Sequence, residues 1–512
     1  MGIILVHQSA CQPSVMHAPL NFSEKIMPMK VLFVSSEVFP LIKTGGLADV
    51  SGSLPTALQG LGVDIRILMP GYTSVLSQLK ELQLIATIHQ LPHIGSAELL
   101  LGVIEHSQVK IIVIKAKTLY ERDGGPYADA NGQEWQDNPI RFGVLSKVAA
   151  ILASDHSPIT DWQPNIVHCN DWQTGLTPAY MKLVDNSQAK SIISLHNMAF
   201  QGCYAPHWVT TLGLPSVGFS IEGYEYHGQL SFLKAGIFYA DAISTVSPRY
   251  AKEIQTAAFG FGLEGLLTKR GDEIKGILNG IETEEWNPGT DQYLIKNYSS
   301  TNLSGKQQVK LALQEKLGLN IDASAPLLGV VSRLTYQKGL DMLLPHLQTL
   351  IDSGCQFALL GGGESTLETA FQSLAAANPG HISVTIGYNE PLSHQIMAGC
   401  DMFIMPSRFE PCGLNQLYGL AYGTPPIVNA TGGLADSVID SNVAHIENKT
   451  ANGFVMVEAS AEGLMACITR ALDIFNHDEE TWKNIQKNGM SQNLSWDNSA
   501  KEYLALYQKL IS

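Results

Sequence analysis

With 512 residues, 45% of them apolar and 15% charged, the chain is globular and too long for one core, so two large domains or three small ones are expected. A net charge of −15 argues against a nucleic-acid or anionic-membrane partner, since either needs a basic face. Seven scattered cysteines without a C-x-x-C pair point to a reduced, cytoplasmic protein with neither a disulfide framework nor a structural zinc site, and no run of about 18 apolar residues offers a membrane span.

Residues 1–28 are poor in charge, and GIILV is too short for a signal-peptide core. They are expected to be a poorly ordered appendage, because MKVLFVSSEVFP from Met29 reads as the beginning of the fold. Short β-branched runs then alternate with amphipathic stretches of helix length. VLFVSS (31–36), VDIRILM (63–69), VKIIVIKA (109–116), NIVHCND (165–171), SIISLHN (191–197) and AISTVS (242–247) are strand candidates. The rhythm resumes with PLLGVVSR (326–333), CQFALLGGG (355–363), HISVTIG (381–387), DMFIMPS (401–407) and PPIVNA (425–430). Most are apolar throughout, as strands covered by helices on both faces should be. The alternation predicts an α/β protein with two tandem Rossmann-like, doubly wound parallel-sheet domains facing across a cleft. Their expected bounds are 29–272 and 273–492, with the join between EGLLTKR (264–270) and the strand IKGILNG (274–280). The amphipathic end, 493–512, is expected as a helix.

Ligands of open parallel sheets bind at the carboxyl ends of the strands, so the cleft is the expected site. The hexapeptide TGGLAD occurs twice, as Thr44–Asp49 and Thr431–Asp436, each time after a strand region and before a helical stretch. Paired glycines let a backbone approach a ligand, and a following helix N-terminus offers free amides and a positive dipole end. The bland alternative is two Gly-Gly turns without a ligand, which two copies flanking one cleft disfavour. Neither copy is G-x-G-x-x-G, and no G-x-x-x-x-G-K-[ST] occurs, which demotes NAD enzymes and P-loop NTPases. No D-x-D triplet and no His/Cys ligand spacing suggest a metal. A diphosphate would then rest on amides and cations. Lys43 precedes the first TGG, Arg333 ends a strand and Lys338 opens the next helix; for an isolated Arg/Lys pair a solvated helix start is an equal reading. Glu410 lies in a loop after a strand, and Asp171 and His196 end two more. Any one of these could be a satisfied polar strand end; several converging on one cleft are harder to dismiss. Trp135 and Trp162 fit core or edge packing better than a glucan surface.

Taken in order, KTGGLADVSGSLP, NDWQTGL, LHNMAFQG, STVSPRYAKEI, GILNGIETEEWNP, VVSRLTYQKGLD, SRFEPCGLNQLYGLAYGTPPIV and TGGLADSV make the chain resemble the glycogen/starch synthase family from about Met29 to the C-terminus. The resemblance implies the GT-B fold, with the C-terminal helix crossing back to the first domain. It also implies retaining transfer of glucose from ADP-glucose to the non-reducing end of an α-1,4-glucan. No cofactor, metal, nucleic acid or membrane is implied.

By the same resemblance, Lys43, Gly45 and Gly46 approach the donor, and Asp49 supports their loop. Arg333 and Lys338 clamp the diphosphate with amides near Thr431, Gly432 and Gly433, while Tyr388 stacks on the adenine. Asp171 and His196 lie near the transferred glucose and the acceptor, with Asn279, Cys412, Gly413 and Leu414 on the donor side. Glu410 is the key carboxylate, expected to orient the sugar during front-face attack. Tyr418 stands where many sugar-nucleotide transferases place a second glutamate, and Gln173 and Asn415 where many relatives carry His and Thr. The open alternatives are another nucleotide sugar or acceptor, or an inactive glucan-binding protein.

Overall fold

The computed structural model describes residues 28–512; the expected appendage, apart from Pro28, lies outside the described residues. All eleven strand candidates form, as two sheets. The first sheet runs through β1 (Lys30–Val34), β2 (Asp64–Pro70), β3 (Gln83–Leu91), β4 (Gly95–Val103), β5 (Lys110–Lys115), β6 (Ile166–Asn170) and β7 (Lys190–Leu195). A small antiparallel sheet of β8 (Cys203–Tyr204), β9 (Glu225–Tyr226) and β10 (Gln229–Ser231) follows, before β11 (Ala242–Thr245) and β12 (Ile274–Gly276) complete the first sheet. Its order is β12-β11-β7-β6-β1-β2-β5-β4-β3. All neighbours are parallel except at the β3–β4 hairpin edge. Val31, Leu32, Phe33 and Val34 of β1 are wholly buried, as a central strand covered on both faces requires.

The second sheet contains β13 (Leu327–Val331), β14 (Gln356–Gly361), β15 (Ile382–Ile386), β16 (Met402–Met405), β17 (Pro426–Asn429) and β18 (Phe454–Met456), all parallel, in the order β15-β14-β13-β16-β17-β18. Two doubly wound parallel sheets in tandem make the GT-B architecture. The structure moves the join. Ile274–Gly276 pairs with β11 as the edge strand of the first sheet, so that sheet ends beyond the expected boundary at 272/273. The buried edge of β11 supplies the hydrogen bonds that draw this strand in.

The chain crosses between the sheets twice, and the crossings touch: Ile281 N–H donates to the Leu494 carbonyl at 2.8 Å. The final helix, Trp496–Ile511, returns to the first core, burying Trp496, Ala500, Tyr503 and Tyr507 there. Tyr507 Oη lies 2.6 Å from His168 Nδ1, and His168 Nε2 lies 2.6 Å from Ser194 Oγ. Burial pushes the His168 imidazole down to about 3, so it ties helix to sheet as a neutral group. Trp162 is buried with its indole N–H on Asp64, and Trp135 donates to the Gly125 carbonyl, so both indoles pack as expected. No helix among the described residues is long and apolar enough to cross a membrane.

Candidate active site

The polar residues singled out in the sequence follow the carboxyl ends of parallel strands: Lys43 after β1, Asp171 after β6, His196 after β7, Arg333 and Lys338 after β13, Tyr388 after β15 and Glu410 after β16. The turn after β1 is organised by Glu37, a residue no motif had marked. It is 2% exposed. Its carboxylate accepts the Thr44 amide, the Gly45 amide at 3.2 Å and the Tyr127 hydroxyl. Gln173 Nε2 donates to the same hydroxyl at 3.1 Å, which gives the glutamine a definite task behind the loop. Burial raises the Glu37 carboxyl, against the pull of the hydroxyl and the two amides. Lys43 Nζ meets Asp49 at 2.8 Å. Burial raises Asp49 despite that lysine.

The two TGGLAD copies do different things. At Gly45 an added Cβ would meet nothing within 4 Å, and at Gly46 it would come 3.7 Å from Leu414 Cδ1 of the second domain. The first copy therefore borders open space and faces the Cys412–Leu414 segment. Gly432 has φ +43°, and a Cβ there would lie 2.0 Å from the Glu410 carbonyl oxygen; at Gly433 it would lie 2.1 Å from that of Cys412. The second copy is a close-packed support under the Glu410 loop. Its amides are engaged as well: Gly433 N–H donates to the Glu410 and Pro411 carbonyls, and Gly432 N–H to Glu253 at 3.0 Å. This corrects the expectation of free amides near Gly432 and Gly433, because close packing and a first-domain carboxylate have taken them. Thr431 Oγ1 likewise donates to Glu253, at 3.3 Å.

Glu410 is 7% exposed and accepts from Lys338 Nζ at 2.5 Å and Ser407 Oγ at 3.0 Å. The two loops at this point are also joined by Arg408, which grips Asp341 with two bonds of 2.7 Å. Arg333 is exposed and makes no ion pair among the described residues; Tyr388 is 72% exposed. Asp171 sits at φ +57° with Oδ1 buried and without a hydrogen-bond partner among the described residues. Burial pushes its carboxyl up to about 7, against the amides of Trp172, His196 and Asn197. Asn170 Nδ2 donates to the Val34 carbonyl, so its Oδ1 faces His196 Nε2 at 3.1 Å as an acceptor. That arrangement puts the proton of His196 on Nε2 and leaves Nδ1 a lone pair; burial, lowering this imidazole to about 4, keeps it neutral. Asn279 keeps a buried Oδ1 without a partner among the described residues, while its backbone N–H faces the Cys412 sulfur, whose thiol burial raises to about 12. Asn415 donates to the Val331 carbonyl at 2.6 Å, holding the Gly413 turn to the end of β13. Tyr418 is stacked on Trp286 at 3.7 Å inside the second domain, so it does not stand in for a ribose-binding carboxylate.

The domains meet around this loop. Ser247 Oγ donates to the Pro411 carbonyl at 2.8 Å, Arg249 N–H to Asp436 at 2.7 Å, and Phe261 lies edge-on to Phe409. STVSPRYAKEI is thus the first domain's contact with the second TGGLAD. The structure brings together Lys43 with Asp49, Lys338 with Glu410, Asn279 with Cys412, and Gly46 with Leu414. It leaves Arg333 and Tyr388 standing free at the rim.

Residues 30–269 match the family model described as starch synthase catalytic domain, and residues 314–491 that described as glycosyl transferases group 1. The chain is 53% identical over 486 residues to a glycogen synthase of Nitrosomonas eutropha, covering 94% of this chain and 96% of that one. It is 50% identical to a glycogen synthase of Nitrosospira multiformis, covering 94% and 98%. Among solved structures, the catalytic domain of starch synthase IV from Arabidopsis thaliana, bound to ADP and acarbose, superposes with a TM-score of 0.85 at 30% identity, covering 94% of this chain and 99% of that one. The chain belongs to the glycogen synthase family.

Proposed function

We propose that this protein transfers glucose from ADP-glucose to the non-reducing end of an α-1,4-glucan, with retention at the anomeric carbon. The observation carrying the reading is the meeting of the Lys43–Gly46 turn with Leu414, beside the Glu410–Lys338 pair, at the carboxyl ends of two facing sheets. A relative bound to ADP and acarbose supports a nucleotide and a glucan as the occupants.

Bond cleavage builds negative charge on the departing diphosphate. Arg333 and Lys338 meet that charge from the second domain and Lys43 from the first, stabilising the transition state directly. An ammonium has three donors, so Lys338 can keep Glu410 while turning another N–H to a phosphate oxygen. A carboxylate held by a lysine and a serine is a weakened nucleophile. Glu410 therefore orients the sugar and supports its developing positive charge, while the acceptor hydroxyl attacks from the face the diphosphate leaves and gives its proton to the departing phosphate. Asp171 and neutral His196 hold the sugar hydroxyls of donor and acceptor. The exposed Tyr388 covers the adenine by stacking. Cationic side chains meet the diphosphate charge in this scheme, so it invokes neither metal nor cofactor. Closure excludes water, which would otherwise hydrolyse the donor. The six described cysteines are unpaired, which supports a reducing, cytoplasmic setting.

The test is ADP release from ADP-glucose with and without glycogen, beside UDP-glucose and a Glu410→Ala control. Glycogen-dependent release from ADP-glucose, lost in the control, supports the reading. Preference for UDP-glucose overturns the donor assignment. Silence with both donors despite glycogen binding leaves a glucan-binding protein.

A further inference from the structure

Behind the Lys43–Asp49 pair, the fold assembles a ligand set that no linear spacing displays. His394, in the helix Glu390–Gly399, is 0% exposed. Its Nδ1 lies 2.8 Å from Asp291 Oδ2, which also accepts the Tyr422 hydroxyl at 2.6 Å. A carboxylate that already accepts the tyrosine's proton takes one from the imidazole too, so Nδ1 carries hydrogen. Nε2 on the far side is buried and has no hydrogen-bond partner among the described residues; a carboxylate oxygen of Glu390, one turn earlier, is 3.6 Å away. Glu285, in the turn after the first domain crossing, brings a second carboxylate. One ligand atom from each of Glu285, Glu390 and His394 lies within 4.8 Å of the others. Trp286 stacks on the imidazole at 3.8 Å and fixes its plane.

We propose that Glu285, Glu390 and His394 Nε2 form a binding site for a first-row divalent cation such as zinc. One imidazole and two carboxylates are a donor set such ions accept. Asp291 is the outer carboxylate that commonly sets the tautomer of a ligating histidine. Bonds of about 2.0–2.2 Å require the three atoms to close by on the order of an ångström. Glu285, partly exposed in a turn, is free to make that movement. A neighbouring cavity of 20 Å³, room for about one water, is lined by Asp49, Glu282 and Glu285 together with Trp286, Tyr418 and Trp496; Lys43 pairs with Asp49 at 2.8 Å, while Glu282 and Glu285 make no ion pair among the described residues. The bound cation would therefore answer the second-domain carboxylates that Lys43 leaves unpaired beside the crossing segment. The site goes beyond the transferase reading and does not depend on it.

The test uses the full chain, stripped with chelator and titrated with cobalt(II) while its visible absorption is followed. One equivalent should bind with a visible ligand-field band, be displaced by zinc, and raise the melting temperature. Glu390→Gln and Glu285→Gln should each weaken binding at least tenfold, and Asp291→Asn by about 10–100-fold, with melting curves showing the variants folded. No saturable cobalt uptake would overturn the site and leave a histidinium between two carboxylates. Binding unchanged in Glu390→Gln, or a thiolate-to-cobalt band placing the ion on cysteine, would overturn it equally.

Discussion

The Glu253 carboxylate of the first domain accepts the Gly432 amide of the second, at 3.0 and 3.2 Å through its two oxygens. With 8% exposure, and with Arg249 on its other side at 3.0 Å, it is a buried charge whose partners come from both halves of the molecule. Replacing it by alanine orphans that amide, and hydrogen bonds to charged groups are worth about 1.5–3 kcal/mol. Glu253→Ala should lower the melting temperature and shift small-angle scattering toward a wider-open molecule. Scattering identical to the parent's would rule out a role in holding the domains together.

The two glycine repeats make opposite predictions. Gly45 has extended backbone and nothing near its missing Cβ, so Gly45→Ala should melt like the parent and be felt only as a higher KM for the nucleotide sugar. Gly432 combines positive φ with a Cβ position that would fall 2.0 Å from the Glu410 carbonyl oxygen. Gly432→Ala should cost on the order of 2–4 kcal/mol from backbone strain and overpacking, and should lower kcat by moving the Glu410 loop. Melting curves and steady-state kinetics on the pair check both halves; equal losses of stability would refute the distinction.

Glu410→Gln keeps size and hydrogen bonding but removes the charge facing Lys338. A fall in kcat of about 10²–10³-fold is expected, the scale of losing one electrostatic stabiliser of a transition state. Mass spectrometry of the wild-type enzyme during turnover should find no glucosyl group on Glu410. A trapped adduct would replace front-face attack by a covalent route.

Asp171 titrates near 7 when folded and near 3.9 when unfolded. Between these values the folded chain holds the extra proton, so this group's contribution to stability falls as pH rises from about 4 to about 7 and is constant above. Asp171→Asn cannot titrate. Measured as the difference in melting temperature between variant and parent, its relative stability should increase from pH 5 to pH 8. A difference independent of pH would show that the carboxyl is not held protonated by burial.

Strands buried on both faces are legible because their apolar runs have no competing explanation, and all eleven formed. The β3–β4 hairpin and β18 lie at or near sheet edges, where QLIATIHQL and GSAELLLGV mix exposed and buried positions without clean alternation, and no periodicity marks them. Edge pairing also hid the true end of the first sheet at Gly276. In the site, charged residues at strand ends could be read individually, but partners could not. Glu37 acts through the Gly45 amide and Tyr127, ninety positions on, and only folding places the three together. The repeat shows the same limit: identical letters specify an open turn in one setting and a close-packed support in the other, because what a glycine permits depends on the neighbour approaching it. Glu285 and His394, over a hundred positions apart, are a third instance.

The return of the last helix to the first sheet also orders events during synthesis. Tyr503 and Tyr507 fill the core of the domain that the ribosome makes first, and Tyr507 caps the His168 imidazole inside it. Domains usually fold as units while the chain emerges. Here the leading one keeps an uncovered apolar seam until the whole second domain has been translated. Without Trp496–Ile511 the first domain would carry that seam permanently, the kind of apolar surface that makes a partly folded chain prone to aggregate.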